Sequence, residues 1–270
     1  MKFQLTVIFI FLTIFCFGQT TVKIVSWNLK DFGKSKTDKE LGIVADLTKG
    51  YDILAIQEVV AGYGGPQAVA RLADALSRKG AKWNYVVSDV TSVNVGNKAE
   101  RYAFIWNTAK VRKIGLSWLE STYKELIERE PFYGRFEIGS KKITVVDFHA
   151  ITKSHQPERE IKYFKFLPAQ YPKDNLIFCG DFNIPQSHSV FNPVRKMGYK
   201  SALIGQKTTL RQRCLNGDCL ASEFDNFYFN GSKISLKSAG VVHFYKLFAS
   251  LKLARKLSDH IPIFAVFELK

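Results

Sequence analysis

Short runs rich in Val, Ile, Phe and Tyr recur along the chain, each closed by polar or turn-forming positions. VKIVSWN (22–28), DILAIQE (52–58), WNYVVS (83–88), RYAFIWN (101–107) and FYGRFEI (132–138) have the length and composition of strands. So do KITVVDFH (142–149), NLIFCGDF (175–182), FDNFYFN (224–230) and HIPIFAVFEL (260–269). Apolar positions at helical spacing predict helices over 38–49, 66–79, 157–170, 188–197 and 245–251. FYGRFEI and KITVVDFH, joined through Gly139 and Ser140, read as an antiparallel hairpin. So many strands with so few helices exceed one doubly wound sheet. The predicted fold is α/β: two packed mixed β-sheets flanked by helices, a four-layer sandwich. No repeat or Pro/Gly-rich linker divides residues 19–270, so one domain is expected.

Most of these strands end in a residue able to bind metal or phosphate: Asn28, Glu58, His149, Asp181 with Asn183, and Asp225. In CGDFNIP, Asp181 and Asn183 stand two apart and leave the strand end on one side, where oxygen donors suit a hard cation such as Mg²⁺. A plain turn with Asp and Asn capping the next helix is the alternative. In DILAIQE the apolar run delivers Glu58, a costly end for a buried strand unless a cation meets the carboxylate; a surface Glu is the ordinary alternative. Asn28 closes the first strand, where it can also be a turn residue. His149 closes another strand, and Asp259 and His260 precede the last. A lone His is commonly structural. Two at strand ends, in a chain with five, form a less ordinary arrangement.

Charge sharpens the picture. Lys and Arg number 39 against 24 Asp and Glu, a formal net charge of +15 that favours polyanionic partners. Hydrophobic content of 46% excludes a disordered or fibrous chain. The first residues carry Lys2, an apolar run from Leu5 to Phe17 and the small Gly18, the pattern of a signal peptide over residues 1–18. The run is shorter than the roughly 20 residues of a spanning helix, and Phe15 before Cys16 argues against a lipid-modified cysteine. Export to an extracellular or periplasmic space is therefore expected. There Cys214 and Cys219, bracketing Leu-Asn-Gly-Asp, can close a short disulfide loop, two free thiols being the alternative; Cys179 reads as a buried small residue.

The segments SWN, QE, DFH, GDFN, FDN and SDH stand in the order found in the endonuclease/exonuclease/phosphatase superfamily, which the chain resembles over essentially its whole mature length. KAERYAFIWN and EREP narrow the resemblance to the pancreatic-type deoxyribonucleases. The resemblance implies that Glu100 orients His149, that Asp225 orients His260, and that Arg129 and Arg101 contact backbone phosphate. It further implies that Glu58 holds the metal, with Asn28, Asp181, Asn183 and Asp259 supporting the scissile phosphate and a second ion. Mg²⁺ is the expected cofactor, with Mn²⁺ as a substitute and Ca²⁺ as a structural ion. DNA is the expected partner of a monomer without stable membrane association. Val60 stands where that family has an Arg, and Lys98 where it has a Tyr, so nothing carries over about duplex preference. The implied reaction is hydrolysis to 5′-phosphate and 3′-hydroxyl ends. A secreted phosphodiesterase acting on phospholipid head groups, or another phosphatase, is the rival, and an exposed aromatic hairpin would distinguish a lipid enzyme. A basic binding module without catalysis would not keep both His–carboxylate pairs.

Overall fold

Side-chain alternation within the strands decides the layering. A computed structural model describes residues 20–92 and 98–270; the expected leader at 1–18 lies outside them. The elements run β1 (Thr21–Phe32), α1 (Asp38–Thr48), β2 (Ile53–Val60), α2 (Gly64–Ser77), β3 (Trp83–Val87), β4 (Glu100–Asn107) and β5 (Arg112–Leu119). There follow β6 (Phe132–Ile138), β7 (Lys141–His149), α3 (Glu158–Ile161), α4 (Leu167–Gln170), β8 (Leu176–Asp181), α5 (Asn192–Lys196) and β9 (Tyr199–Ser201). The last are β10 (Leu210–Leu215), β11 (Asp218–Leu220), β12 (Asp225–Asn230), β13 (Ile234–Val241), α6 (Leu251–Leu257) and β14 (Ile263–Leu269).

Along β1, Val22 and Ile24 join one apolar layer while Val25, Trp27 and Leu29 join another, as a period of two requires. The first layer fills the space between two six-stranded sheets, ordered β13-β14-β1-β2-β4-β3 and β5-β6-β7-β8-β12-β9. The second lies under α1, α2 and α6, and a third, with Phe148, Phe164 and Phe178, covers the other sheet's outer face. Helix, sheet, sheet, helix is thus the predicted four-layer order. The capping box of α1, with Thr37 and Glu40 exchanging hydrogen bonds, gives its start to the residue.

Each sheet has one parallel pair at its centre, β1 with β2 and β7 with β8. Antiparallel neighbours flank these pairs: β14 and β4 in one sheet, β6 and β12 in the other. The ends of the four parallel strands are therefore met by the beginnings of β4 and β12, and this edge carries the site. The hairpin β6–β7 is antiparallel, with Phe132 opposite Asp147.

Differences from the expected elements have local causes. The helix expected over 157–170 is broken into α3, a 3-10 turn and α4, with Pro168 in the first turn of α4. That over 188–197 is a 3-10 turn leading into α5, again started by a proline, Pro193. The helix expected over 245–251 is replaced by a 3-10 turn and then α6, which begins at Leu251 because Ser250 caps it. Strands β5, β9, β10, β11 and β13 have no counterpart among the apolar runs of the sequence.

Candidate active site

The layer between the sheets changes character along its length. Positions facing it run Val22, Ile24, Ser26, Asn28 on β1 and Ile53, Ala55, Gln57 on β2. On β7 and β8 they run Ile143, Val145, Asp147, His149 and Ile177, Cys179, Asp181. The apolar halves bind the sheets together, and the polar halves gather at one edge. Gly180 lets β7 and β8 approach there: with φ at 128°, a Cβ would stand 1.9 Å from the Phe148 carbonyl oxygen.

Two imidazole–carboxylate pairs face each other across Asp181. His149 Nδ1 lies 2.9 and 3.0 Å from the two oxygens of Glu100, at the start of β4. His260 Nδ1 lies 2.8 Å from Asp225 Oδ2, at the start of β12. Each ring turns its other nitrogen to the same atom, Asp181 Oδ2, at 3.4 Å from His149 Nε2 and 3.5 Å from His260 Nε2. Asn28 Nδ2 donates to that oxygen at 3.3 Å, and the Asn183 N–H donates to the other at 2.9 Å.

Supporting bonds fix this arrangement. The Thr208 hydroxyl donates to Asp225 at 2.6 Å. The His260 N–H donates to Ser258 Oγ, whose hydroxyl donates to the Asn28 carbonyl at 2.6 Å, tying the segment before β14 to β1. Tyr102 accepts from the His149 N–H and donates to the Arg129 carbonyl. Deeper down, Gln57 donates to Ser26 Oγ and Asp147. Burial drives the Asp147 carboxyl well above the usual carboxylate range, with the Gln57 amide acting against it. Thr208 had no motif to mark it in the sequence, while Asp147, Ser258, Tyr102 and Gln57 lay inside the family-like segments, whose local geometry only the fold supplies.

Three buried acids meet two imidazoles and one guanidinium. Burial favours the neutral form of Glu100, but His149 and Arg129 outweigh it and hold the carboxyl below its ordinary value. Burial and Arg129 act to lower His149, yet Glu100 and Asp181 leave it raised. Burial also opposes protonation of His260, but Asp225 and Asp181 lift it to about 10. Asp225 is raised by burial and by Asp181, so it and His260 titrate as one pair. Asp181, against its burial, is held low by the two imidazoles.

The donor set suits a hard cation. Asn28 Oδ1 is buried without a hydrogen-bond partner, an oxygen in need of a positive neighbour. Ligand atoms of Asp181, Asp225 and His260 lie within 4.8 Å of one another. Glu58 stands at the rim in a left-handed conformation, φ 59°, where the β1–β2 register breaks. Its N–H donates to Glu100 at 3.3 Å and its Oε2 accepts from the Asp31 N–H. Asp31 and Asn183 share the positive φ, so three strained residues border the site. A cavity of about 230 Å³ opens beside it, lined by Glu58, Lys98, Glu100, Arg129 and Thr152 among others.

Other expected site residues take different positions. Arg129 is 6% exposed, with one guanidinium nitrogen 3.2 Å from Glu100 and the other on the Ala150 carbonyl, so it braces Glu100 from below. Arg101 donates to the carbonyls of Ala61 and Ser88, holding the loop after β2. Asp259 turns to Arg255 at 3.3 Å and Lys30 at 3.8 Å. Asn183 donates through Nδ2 to the Ala150 carbonyl. Cys214 and Cys219 form a disulfide across the β10–β11 turn, and Cys179 is buried and free.

Comparison with known proteins agrees with this architecture. The Endonuclease/Exonuclease/phosphatase family profile matches residues 25–260. A deoxyribonuclease of Thioalkalivibrio sp. (strain K90mix) is 26% identical over 269 residues, spanning 92% of this chain and 71% of the relative. Deoxyribonuclease-1-like 2 of Mus musculus is 25% identical, spanning 93% of each. Among solved structures, D. rerio TDP2 complexed with single strand DNA product superposes with a TM-score of 0.65 at 15% identity, covering 92% of this chain and 99% of the other. With its fold, its paired imidazoles and its matched length in agreement, the chain belongs to the endonuclease/exonuclease/phosphatase family.

Proposed function

We propose that the chain is a secreted, divalent-metal-dependent endonuclease that hydrolyses DNA to 5′-phosphate and 3′-hydroxyl ends. The observation that carries this reading is the opposition of His149–Glu100 and His260–Asp225 across one carboxylate oxygen of Asp181. Diester hydrolysis needs a proton taken from water and a proton given to the departing oxygen. Two oriented imidazoles facing one point can do both. In this reading His260, held by Asp225, accepts the water proton, and His149, raised and held by Glu100, donates to the 3′ oxygen. Asn183 and the neighbouring backbone orient the phosphate. A divalent cation held by Asn28, Glu58 and Asp181 would relieve charge on the non-bridging oxygens and cancel the negative field that keeps His260 protonated.

The relatives named deoxyribonucleases support DNA as substrate, as does the net charge of +15. Secretion rests on the apolar leader pattern and the Cys214–Cys219 disulfide. Among the described residues no helix is long and apolar enough to cross a membrane, and no hairpin tip carries an exposed aromatic side chain. Plasmid nicking with Mg²⁺, repeated in EDTA and run beside a sphingomyelin turnover assay, tests the reading. Metal-dependent nicking with 5′-phosphate ends is expected; sphingomyelin hydrolysis without nicking would replace DNA by lipid.

A further inference from the structure

We propose that a basic groove beside the catalytic centre, walled by α6 and the disulfide-closed β10–β11 hairpin, holds the phosphodiester backbone of a nucleic-acid strand beyond the bond being cut. The inference deepens the nuclease reading above and rests on it for the identity of the polymer. The groove encloses about 560 Å³. Five of its lining residues are cations, Lys30, Lys36, Lys252, Arg255 and Lys256, against one acid, Asp31, and no lining residue is apolar. Asp31 is itself paired with Lys98 at 2.6 Å, and Asp259 answers Arg255 and Lys30, so the groove keeps a cationic excess that is carried by Lys252 and Lys256.

Two of these cations build the groove and two are free to use it. Lys36 is buried and donates to the carbonyls of Lys256 and Leu257, fastening the end of α6 to the segment after β1. Arg255 donates to the Leu210 carbonyl and to Asp259, fastening α6 to β10. The disulfide closes the same hairpin, whose Gln212 forms part of the wall. Lys252 and Lys256 are exposed, one helical turn apart on α6, and neither has an ion-pair partner among the described residues. Like charges at that spacing repel, an arrangement a bound polyanion relieves.

The groove is continuous with the reaction centre. Asp31 lines both the groove and the cavity beside Glu58 and Glu100, and Lys30 pairs with Asp259, the neighbour of His260. A polymer with its scissile phosphate between the imidazoles therefore has a recessed, cationic path for its flank. A bilayer is the less suitable occupant, because interfacial binding needs apolar residues among the cations, and no apolar residue lines this groove.

Fluorescence anisotropy of labelled oligonucleotides of about 30 residues, in EDTA so that nothing is cut, measures the groove directly. The wild-type chain is compared with Lys252→Glu/Lys256→Glu and with Lys162→Glu/Lys165→Glu, a charge-matched pair on exposed positions of the other outer layer. The groove pair is expected to weaken binding about tenfold at about 0.1 M salt and to lower the slope of log Kd against log salt by about 2, near 0.9 for each phosphate no longer neutralised. The control pair should change binding less than about threefold. Equal losses in both pairs, or none in either, would overturn the groove, as would abolished binding to phosphatidylserine vesicles with oligonucleotide binding unchanged. Since no turnover is required, this result stands apart from the nicking assay, and failure there would retract the nuclease reading instead.

Discussion

Arg129 sits where a charge is costly, and its partner explains why it is kept. Its side chain and that of Glu100 are 7% and 8% exposed, and Glu100 in turn holds His149. Removing one member of such a buried pair leaves the other uncompensated, so Arg129→Met should lower the unfolding free energy in urea by about 3 to 5 kcal/mol. A residue serving only as a phosphate contact would raise KM and leave that transition alone. The imidazoles make a second prediction. Burial would lower His260, yet Asp225 and Asp181 lift it to about 10. A folded value above the unfolded one means that protonation stabilises the fold: the contribution is whole below about 6.5 and is lost as pH rises toward the folded value. Thermal unfolding in EDTA should therefore show Tm falling over this window, and His260→Gln should flatten the fall. A cation competes with the same protons, so Mg²⁺ affinity should rise with pH, with proton release visible by calorimetry in buffers of different ionisation enthalpy.

At the scale of elements, β7 and β8 bring His149 beside Asp181 only because Gly180 allows the close pairing. Gly180→Ala should abolish soluble, folded protein, read as loss of the cooperative unfolding transition; a stable variant with normal activity would contradict the packing argument. The central strands were legible because both faces are buried and their apolar runs are dense. Strands β5, β9 and β13 were not, and all three are sheet edges. β5 and β13 carry mostly half-buried or exposed side chains, and β9 is three residues long, so no apolar run marks them. Helix α6 lies beyond the stretch where apolar spacing puts a helix, although Ser250 and the buried Ala254 and Leu257, three apart, offer a signal for it. Asn28, Glu58, His149 and Asp181 were legible as polar endings of apolar strands. Asp225 opens β12 instead of closing it, and Glu100, which opens β4, was marked only by the family resemblance. The directions of Arg129 and Arg101 were not legible, because each is set by carbonyls or charges from other segments. Nor was that of Asp259, which is set by Lys30 and by Arg255 on α6, a helix the apolar spacing did not place.

Across the whole molecule, the site is assembled from both sheets. Asn28, Glu58 and Glu100 come from one, His149, Asp181 and Asp225 from the other, and His260 from the segment entering β14. Packing between the sheets therefore sets catalytic distances. Phe104, fully buried there, stacks on Phe132 at 5.1 Å and meets Phe136 edge-on at 5.5 Å. Phe104→Ala should cost about 3 to 5 kcal/mol of stability in urea unfolding. The account depends on two imidazoles serving one phosphate, and single-turnover cleavage of DNA by His149→Ala and His260→Ala tests this most directly. Each variant, assayed at a temperature where it remains cooperatively folded, should cleave about 10² to 10⁴-fold more slowly. Either variant retaining more than about a tenth of wild-type activity would contradict it.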